Sequence, residues 1–198
     1  MFISIFIIFT CAYFKSLKEG LTNKDNIILM GDSVLNNSIY VPAGKSVYDI
    51  LKTKISKVLN LAKDGATIND LYEQLDKYIF ISVGGNDILS KKTKLTNTDI
   101  KQLFNTYMNF LKALRVKLSN VKINIMNLYL PANPRYQSYK SSIDQWNTLI
   151  NEYSSKIGEM YNVVDLNSLL TTPEDFVYDI EPSETASEKI AYLIYLTR

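Results

Sequence analysis

The chain has 198 residues, with 22 Lys and Arg against 20 Asp and Glu for a formal net charge of +2 at pH 7, and is long enough to bury one sizeable core. So even a balance, with no basic cluster, excludes an electrostatic footprint for nucleic acid. It contains no histidine and one cysteine, Cys11, which excludes a disulfide within the chain and a Cys-based metal site; no metal or other cofactor is expected.

The first apolar segment runs from Phe2 to Phe14, broken only by Ser4 and Thr10 and followed by Lys15 and Lys18. It is shorter than the ~20 residues of a membrane span but matches a signal-peptide core. Residues 1–20 are therefore expected to be a signal peptide or membrane anchor, with membrane association through residues 2–14 and a secreted or membrane-anchored location. No positive residue precedes the run and no A-x-A site follows. The alternative is an extra element packed on the domain of a cytoplasmic protein.

Five short apolar runs follow, at Ile27–Met30, Lys57–Leu61, Tyr78–Val83, Lys122–Leu128 and Asn162–Leu166. Each is rich in Ile, Val, Leu or aromatics and ends in turn-prone residues, the pattern of buried parallel strands. Between them, apolar residues recur every three or four positions. Val47, Ile50, Leu51 and Ile55 mark one helix, and Leu103, Tyr107, Phe110, Leu111, Leu114 and Leu118 the longest. Ile143, Trp146, Leu149, Ile150 and Tyr153 mark a third, Ile190, Leu193 and Ile194 a fourth, and Thr67–Leu75 a shorter one. Strands alternating with helices predict right-handed crossovers and a parallel sheet covered on both faces. Residues 27–198 read as a single α/β domain.

Ligands of such sheets bind beyond the carboxyl ends of the strands, and three polar motifs fall there. Gly31-Asp32-Ser33 follows the first run: Ser33 is a candidate nucleophile, or a turn and helix cap, for which Asp and Ser are favoured. Asp64-Gly65-Ala66 follows the second, where a glycine leaves its N–H open to a ligand or simply makes a turn. "SVGGNDIL", Ser82 to Leu89, follows the third and sets the Asn86 amide at a strand end, a good donor to developing negative charge.

Together these motifs resemble the SGNH (GDSL-type) hydrolase superfamily, whose pattern is a Ser in a GDS turn, a Gly, an Asn in G-x-N-D and a His near the C-terminus. The resemblance implies a flavodoxin-like three-layer α/β/α sandwich with a five-stranded parallel sheet. It further implies that Ser33 attacks the carbonyl of a small-molecule ester or acylated substrate, without a cofactor. The N–H groups of Ser33 and Gly65 and the Asn86 side chain would form the oxyanion hole. The fourth block departs from the family: in "YDIEPSETASEKIA", Tyr178 to Ala191, Glu181 stands where the histidine belongs and the nearest aspartate is Asp179. The combination of "GDSVLNNSIYVPAG", "DGA", "SVGGND" and "IEPS" also resembles a subgroup of GDSL-like proteins that itself carries IEPS. A free Glu is a weaker base than His by about two pKa units, so Glu181 serves as base only if burial or a neighbouring carboxylate raises it. Asp179 is the candidate neighbour. Three outcomes stand: a Ser33–Glu181 hydrolase supported by Asp179 or Tyr178, a structural Glu181 in a catalytically inactive binding module that keeps the oxyanion pocket, or a Glu181 that points to solvent. Tyr40 and the loop "LPANPRY", Leu130 to Tyr136, are candidates for the cleft wall. Asp165 could reach the site or merely end a strand.

Overall fold

The computed structural model describes residues 26–74, 80–90, 95–118, 122–157 and 161–197. The apolar segment at Phe2–Phe14, with Cys11, and the first residues of the third predicted strand lie outside them. Among the described residues, no helix is long and apolar enough to cross a membrane.

Five strands, β1 (Asn26–Gly31), β2 (Lys57–Asn60), β3 (Phe80–Ser82), β4 (Ile123–Met126) and β5 (Tyr161–Val164), form one sheet in the order β2-β1-β3-β4-β5. Every neighbouring pair is parallel. Each strand is therefore joined to the next by a crossover on one face or the other. The helices are α1 (Val47–Lys52), α2 (Gly85–Leu89), α3 (Asn97–Lys117), α4 (Lys140–Ile157), α5 (Leu166–Leu169) and α6 (Glu184–Thr197).

Side chains alternate across a strand, which splits the core into two layers. Met30, Ile81 and Ile125 point to the side covered by α3 and α4, where Phe104, Tyr107, Phe110, Leu114, Trp146 and Ile150 are buried. Ile27, Leu29, Phe80 and Met126 point to the opposite side, against Val47 and Leu51 of α1 and Ile190 and Ile194 of α6. This is a three-layer α/β/α sandwich. The Thr96 hydroxyl and the Asp99 side chain form a capping box that sets the start of α3.

Two short strands, β6 (Phe176–Val177) and β7 (Glu181–Pro182), pair antiparallel outside the main sheet and lead into α6. The strand order reverses direction between β1 and β3, and ligands of open α/β sheets bind at such a switch point. Ser33 follows β1 and Asn86 follows β3, so both candidate residues stand there.

Candidate active site

The nucleophile turn is shaped by a close backbone approach. Gly31 has φ +128°, and a Cβ there would lie 1.7 Å from the Ser82 carbonyl oxygen; only glycine fits. The next N–H, of Asp32, donates to that same carbonyl at 3.1 Å. The Asp32 carboxylate is buried and accepts, on Oδ1 alone, the Val34 N–H at 3.2 Å and the Ser82 hydroxyl at 3.2 Å. Burial outweighs these two bonds and, with the charge of Glu181, pushes Asp32 up to about 7. Asp32 thus builds the turn, and Ser33 emerges from it into the pocket.

Each residue of the Ile180–Ser183 block has its own role in delivering Glu181. The Ile180 carbonyl accepts the Tyr129 hydroxyl at 2.9 Å. The Pro182 carbonyl accepts Asn37 Nδ2 at 3.4 Å. Asn37 is fully buried, donates to the Ser187 hydroxyl at 2.5 Å and accepts the Val47 N–H at 3.0 Å. Ser183 accepts the Ala186 N–H at 3.2 Å and so caps α6. Glu181 is pinned through the carbonyls on either side, which leaves its side chain free to face Ser33.

The Glu181 carboxylate and Ser33 line the same pocket, close enough for Ser33 to act on the Glu181 pKa. Burial raises Glu181 above the ordinary glutamate range, Ser33 opposes that rise, and the charge of Asp64 adds to it. One carboxylate oxygen, Oε2, is buried with no hydrogen-bond partner among the described residues. An ionised carboxylate lacking one of its usual donors is more basic than a solvated one.

Asn86 lies in the first turn of α2, behind Gly84 at φ +107°, where a Cβ would lie 2.6 Å from the Trp146 ring. Its Nδ2 donates to the Ala66 carbonyl at 3.0 Å, and Asp87 accepts the Ile68 N–H at 3.0 Å. These bonds hold the Gly65-Ala66 loop to the end of β3. An amide nitrogen carries two hydrogens, so one stays available to the pocket. Gly65 has φ +72° with nothing within 4 Å of a Cβ built there. Neither the Ser33 nor the Gly65 N–H is spent in the backbone hydrogen-bond network among the described residues.

Ser33, Asn86 and Glu181 line one pocket, whose apolar wall comes from Ile88, Leu128, Ile143 and Ile180. Gly65 is not among the lining residues and adjoins the pocket through the Ala66 peptide. Asp179 is placed elsewhere. It is exposed, accepts Asn133 Nδ2 at 2.7 Å and pairs with Arg135 at 3.1 Å. It follows Tyr178 in a turn where both residues have positive φ (+48° and +71°), and that turn directs its side chain away from Glu181. The carboxylates whose charges couple to Glu181 are instead Asp64 and Asp32. Burial, the neighbouring Asp64 and the charge of Glu181 all raise the Tyr40 phenol. Asp165 caps α5, accepting the Ser168 N–H at 3.1 Å and Asn127 Nδ2 at 2.7 Å. Among the described residues, no group of three or more His, Cys, Asp or Glu side chains is placed to hold a metal ion.

The fold is shared with known proteins. A member of the lipolytic protein G-D-S-L family from Veillonella parvula superposes with a TM-score of 0.69 at 18% identity, over 86% of this chain and 96% of that one. A GDSL-like lipase from Bacteroides thetaiotaomicron superposes at 0.67 and 11% identity, over 93% and 96%. Phospholipase A1 from Streptomyces albidoflavus does so at 0.60 and 14%, over 87% and 98%. At such identities the likeness concerns the fold. No curated protein matches the sequence. The model of the GDSL-like lipase/acylhydrolase family matches residues 20–191. The chain belongs to the GDSL-like lipase/acylhydrolase family.

Proposed function

We propose that the protein hydrolyses carboxylic esters through a seryl acyl-enzyme, with Glu181 as the general base. The observation that carries this reading is that a half-buried Glu181 carboxylate, raised by burial, lines the same pocket as Ser33. In the first step Ser33 Oγ bonds to the ester carbonyl carbon while its proton passes to Glu181. The carbonyl oxygen becomes an oxyanion facing the Asn86 amide and the N–H groups of Ser33 and Gly65. Collapse breaks the C–O bond to the alcohol, which leaves with the proton from Glu181. Water then attacks the acyl-enzyme and gives its proton to Glu181; the acid departs and the proton returns to Ser33. The pocket beside Ser33 has a volume of about 50 Å³, room for roughly four waters, which supports a short acyl group.

The test is hydrolysis of p-nitrophenyl acetate and butyrate from pH 4 to 9. Ser33→Ala and Glu181→Gln are each expected to lower kcat/KM by about 10²–10⁴-fold, the usual span for loss of a positioned acid–base group. The base must be ionised, so activity rises with pH along an acid limb above the ordinary glutamate value of 4.5. Full activity of Glu181→Gln would remove the base from the mechanism. A wild-type protein inert toward both esters and toward a fluorophosphonate probe would make the domain a binding module.

A further inference from the structure

The even balance of charge over the chain conceals a segregation along the strands. All strands of the main sheet are parallel, so their amino ends form one edge. Helices α1, α3 and α4 run back to that edge before β2, β4 and β5. Lys52 ends α1, Lys54 and Lys57 lead into β2, Lys122 precedes β4, and Lys156 lies in the last turn of α4. These lysines are exposed, and none forms an ion pair among the described residues. One turn further in, Glu152 of α4 is offset by Lys112 of α3, both exposed. Carboxylates collect at the opposite edge, where Asp32, Asp64, Asp87 and Asp165 follow the strand ends and Glu181 joins Asp32 in the pocket. The lysines are scattered through the sequence, and parallel pairing brings them to one edge roughly 20 Å wide from β2 to β5. Apolar side chains stand in solvent around it. Val116, in the last turn of α3, is 84% exposed, and Tyr192 and Leu196 of α6 are 57% and 59% exposed. Helix α6 starts behind Glu181 and runs toward the start of β1, where Ile194 and Ile27 belong to one core. We propose that this amino edge of the sheet is a docking face for an anionic lipid bilayer.

The side chains of this face select the partner. Lysine ammonium groups on long stems meet lipid phosphates and carboxylates as point charges. The amphipathic ring of Tyr192 suits the headgroup level, and Val116 and Leu196 add apolar groups that a bilayer accepts at its boundary. From Ile190 to Thr197, α6 carries no charge on any face; a nucleic acid would pair with the lysines and offer nothing to that apolar helix end. The chain enters β1 at this same edge, and upstream in the sequence stands the apolar run Phe2–Phe14 with Lys15 and Lys18. Stable membrane anchoring takes two signals, and an apolar run with a basic face is such a pair. The docked pose turns Ser33 and Glu181 away from the lipid. Strand β1, at six residues, holds the two edges about 20 Å apart, twice the Debye length of ~10 Å at about 0.1 M salt. The carboxylates of the far edge thus escape the repulsion of an anionic surface, and the Ser33 pocket opens toward solution.

Sedimentation of the full chain with vesicles of phosphatidylcholine alone, and of phosphatidylcholine mixed with phosphatidylserine, tests the face. The readout is the ratio of the two partition coefficients, which removes whatever the apolar run contributes to both. Each lysine at an anionic surface strengthens binding roughly fivefold. The triple variant Lys54→Gln, Lys57→Gln, Lys122→Gln is therefore expected to lower the ratio about a hundredfold. Lys101→Gln, near the start of α3 and so at the opposite edge, is expected to keep it within about twofold. A preference of the parent protein for the anionic vesicles that vanishes as salt rises supports the face without any variant. Equal binding of the parent to both vesicles, or a ratio that the triple variant leaves unchanged, overturns it. Binding of a duplex oligonucleotide that the triple variant loses, with no preference for anionic vesicles, also overturns it and makes the edge a nucleic-acid face. Binding is read without turnover, so failure of the ester-hydrolase reading and failure of the docking face are separate results.

Discussion

Replacing Asp32 by Asn tests whether the nucleophile turn stores a buried charge. Burial holds this carboxyl at about 7 against an ordinary 3.8. Both bonds it accepts, from Val34 and from Ser82, converge on Oδ1, so an asparagine oxygen can keep both. Because the folded pKa is the higher one, the folded state holds the proton more tightly than the unfolded state. The carboxyl costs nothing below the unfolded value, and its cost grows as pH rises until it levels off above about 7. At ~1.4 kcal/mol per pKa step of one, the interval from 3.8 to about 7 corresponds to about 4 kcal/mol, of which about 3 kcal/mol falls between pH 5 and pH 8. Urea unfolding of parent and Asp32→Asn proteins, followed by far-ultraviolet circular dichroism at both pH values, measures this directly. Other titrating groups cancel in the difference between the two proteins. The Asn variant is expected to gain about 3 kcal/mol on its parent between pH 5 and pH 8. A stability difference that does not change with pH, or that moves in the parent's favour, refutes the argument.

Gly31→Ala forces a Cβ to within 1.7 Å of a backbone oxygen at φ +128°, and should cost at least about 3 kcal/mol or abolish folding. Gly65→Ala meets no atom within 4 Å and carries only the strain of φ +72°, about 1–2 kcal/mol; thermal melts of the two variants separate a packing glycine from a conformational one. Tyr129→Phe leaves the Ile180 carbonyl without its 2.9 Å bond, a loss of about 1–3 kcal/mol in stability. If Tyr129 positions Glu181, the same variant also lowers kcat more than it alters KM and moves the acid limb of the pH profile, whereas a merely structural role leaves that limb in place.

The sheet was legible because its strands are short apolar runs, fully buried in β3 and β4, and the long helices because their apolar positions repeat every three or four residues. The elements that escaped are those too short to carry a period. The two-residue strands β6 and β7 are one case, and α2, which begins inside what reads as a Gly-Gly turn, is another. Thr67–Leu75 has helical spacing, yet within it Asn69–Gln74 forms a 3-10 helix. In the site, Ser33 and Asn86 could be found because a parallel sheet places strand ends together. Asp179 misled because nearness in sequence is not nearness in space. Two positive-φ residues turn its carboxylate toward Arg135, while Asp64, more than a hundred residues away in the chain, lies in the field of Glu181. Tyr129 and Asn37 carried no local signal, since what they do is visible only through the carbonyls they hold. A composite pattern joining GDS, an asparagine four residues beyond the serine and IEPS would have pointed to Asn37.

Asn37 also has a temporal meaning. Its side chain closes contacts 145 and 150 residues apart in sequence, to Pro182 and Ser187, which are among the most non-local in the chain and so among the costliest to close early in folding. During synthesis Ser33 emerges long before Glu181. A chain that has not yet reached residue 181 therefore presents the Ser33 turn without the carboxylate that faces it across the pocket, and the site is assembled only once both ends have met.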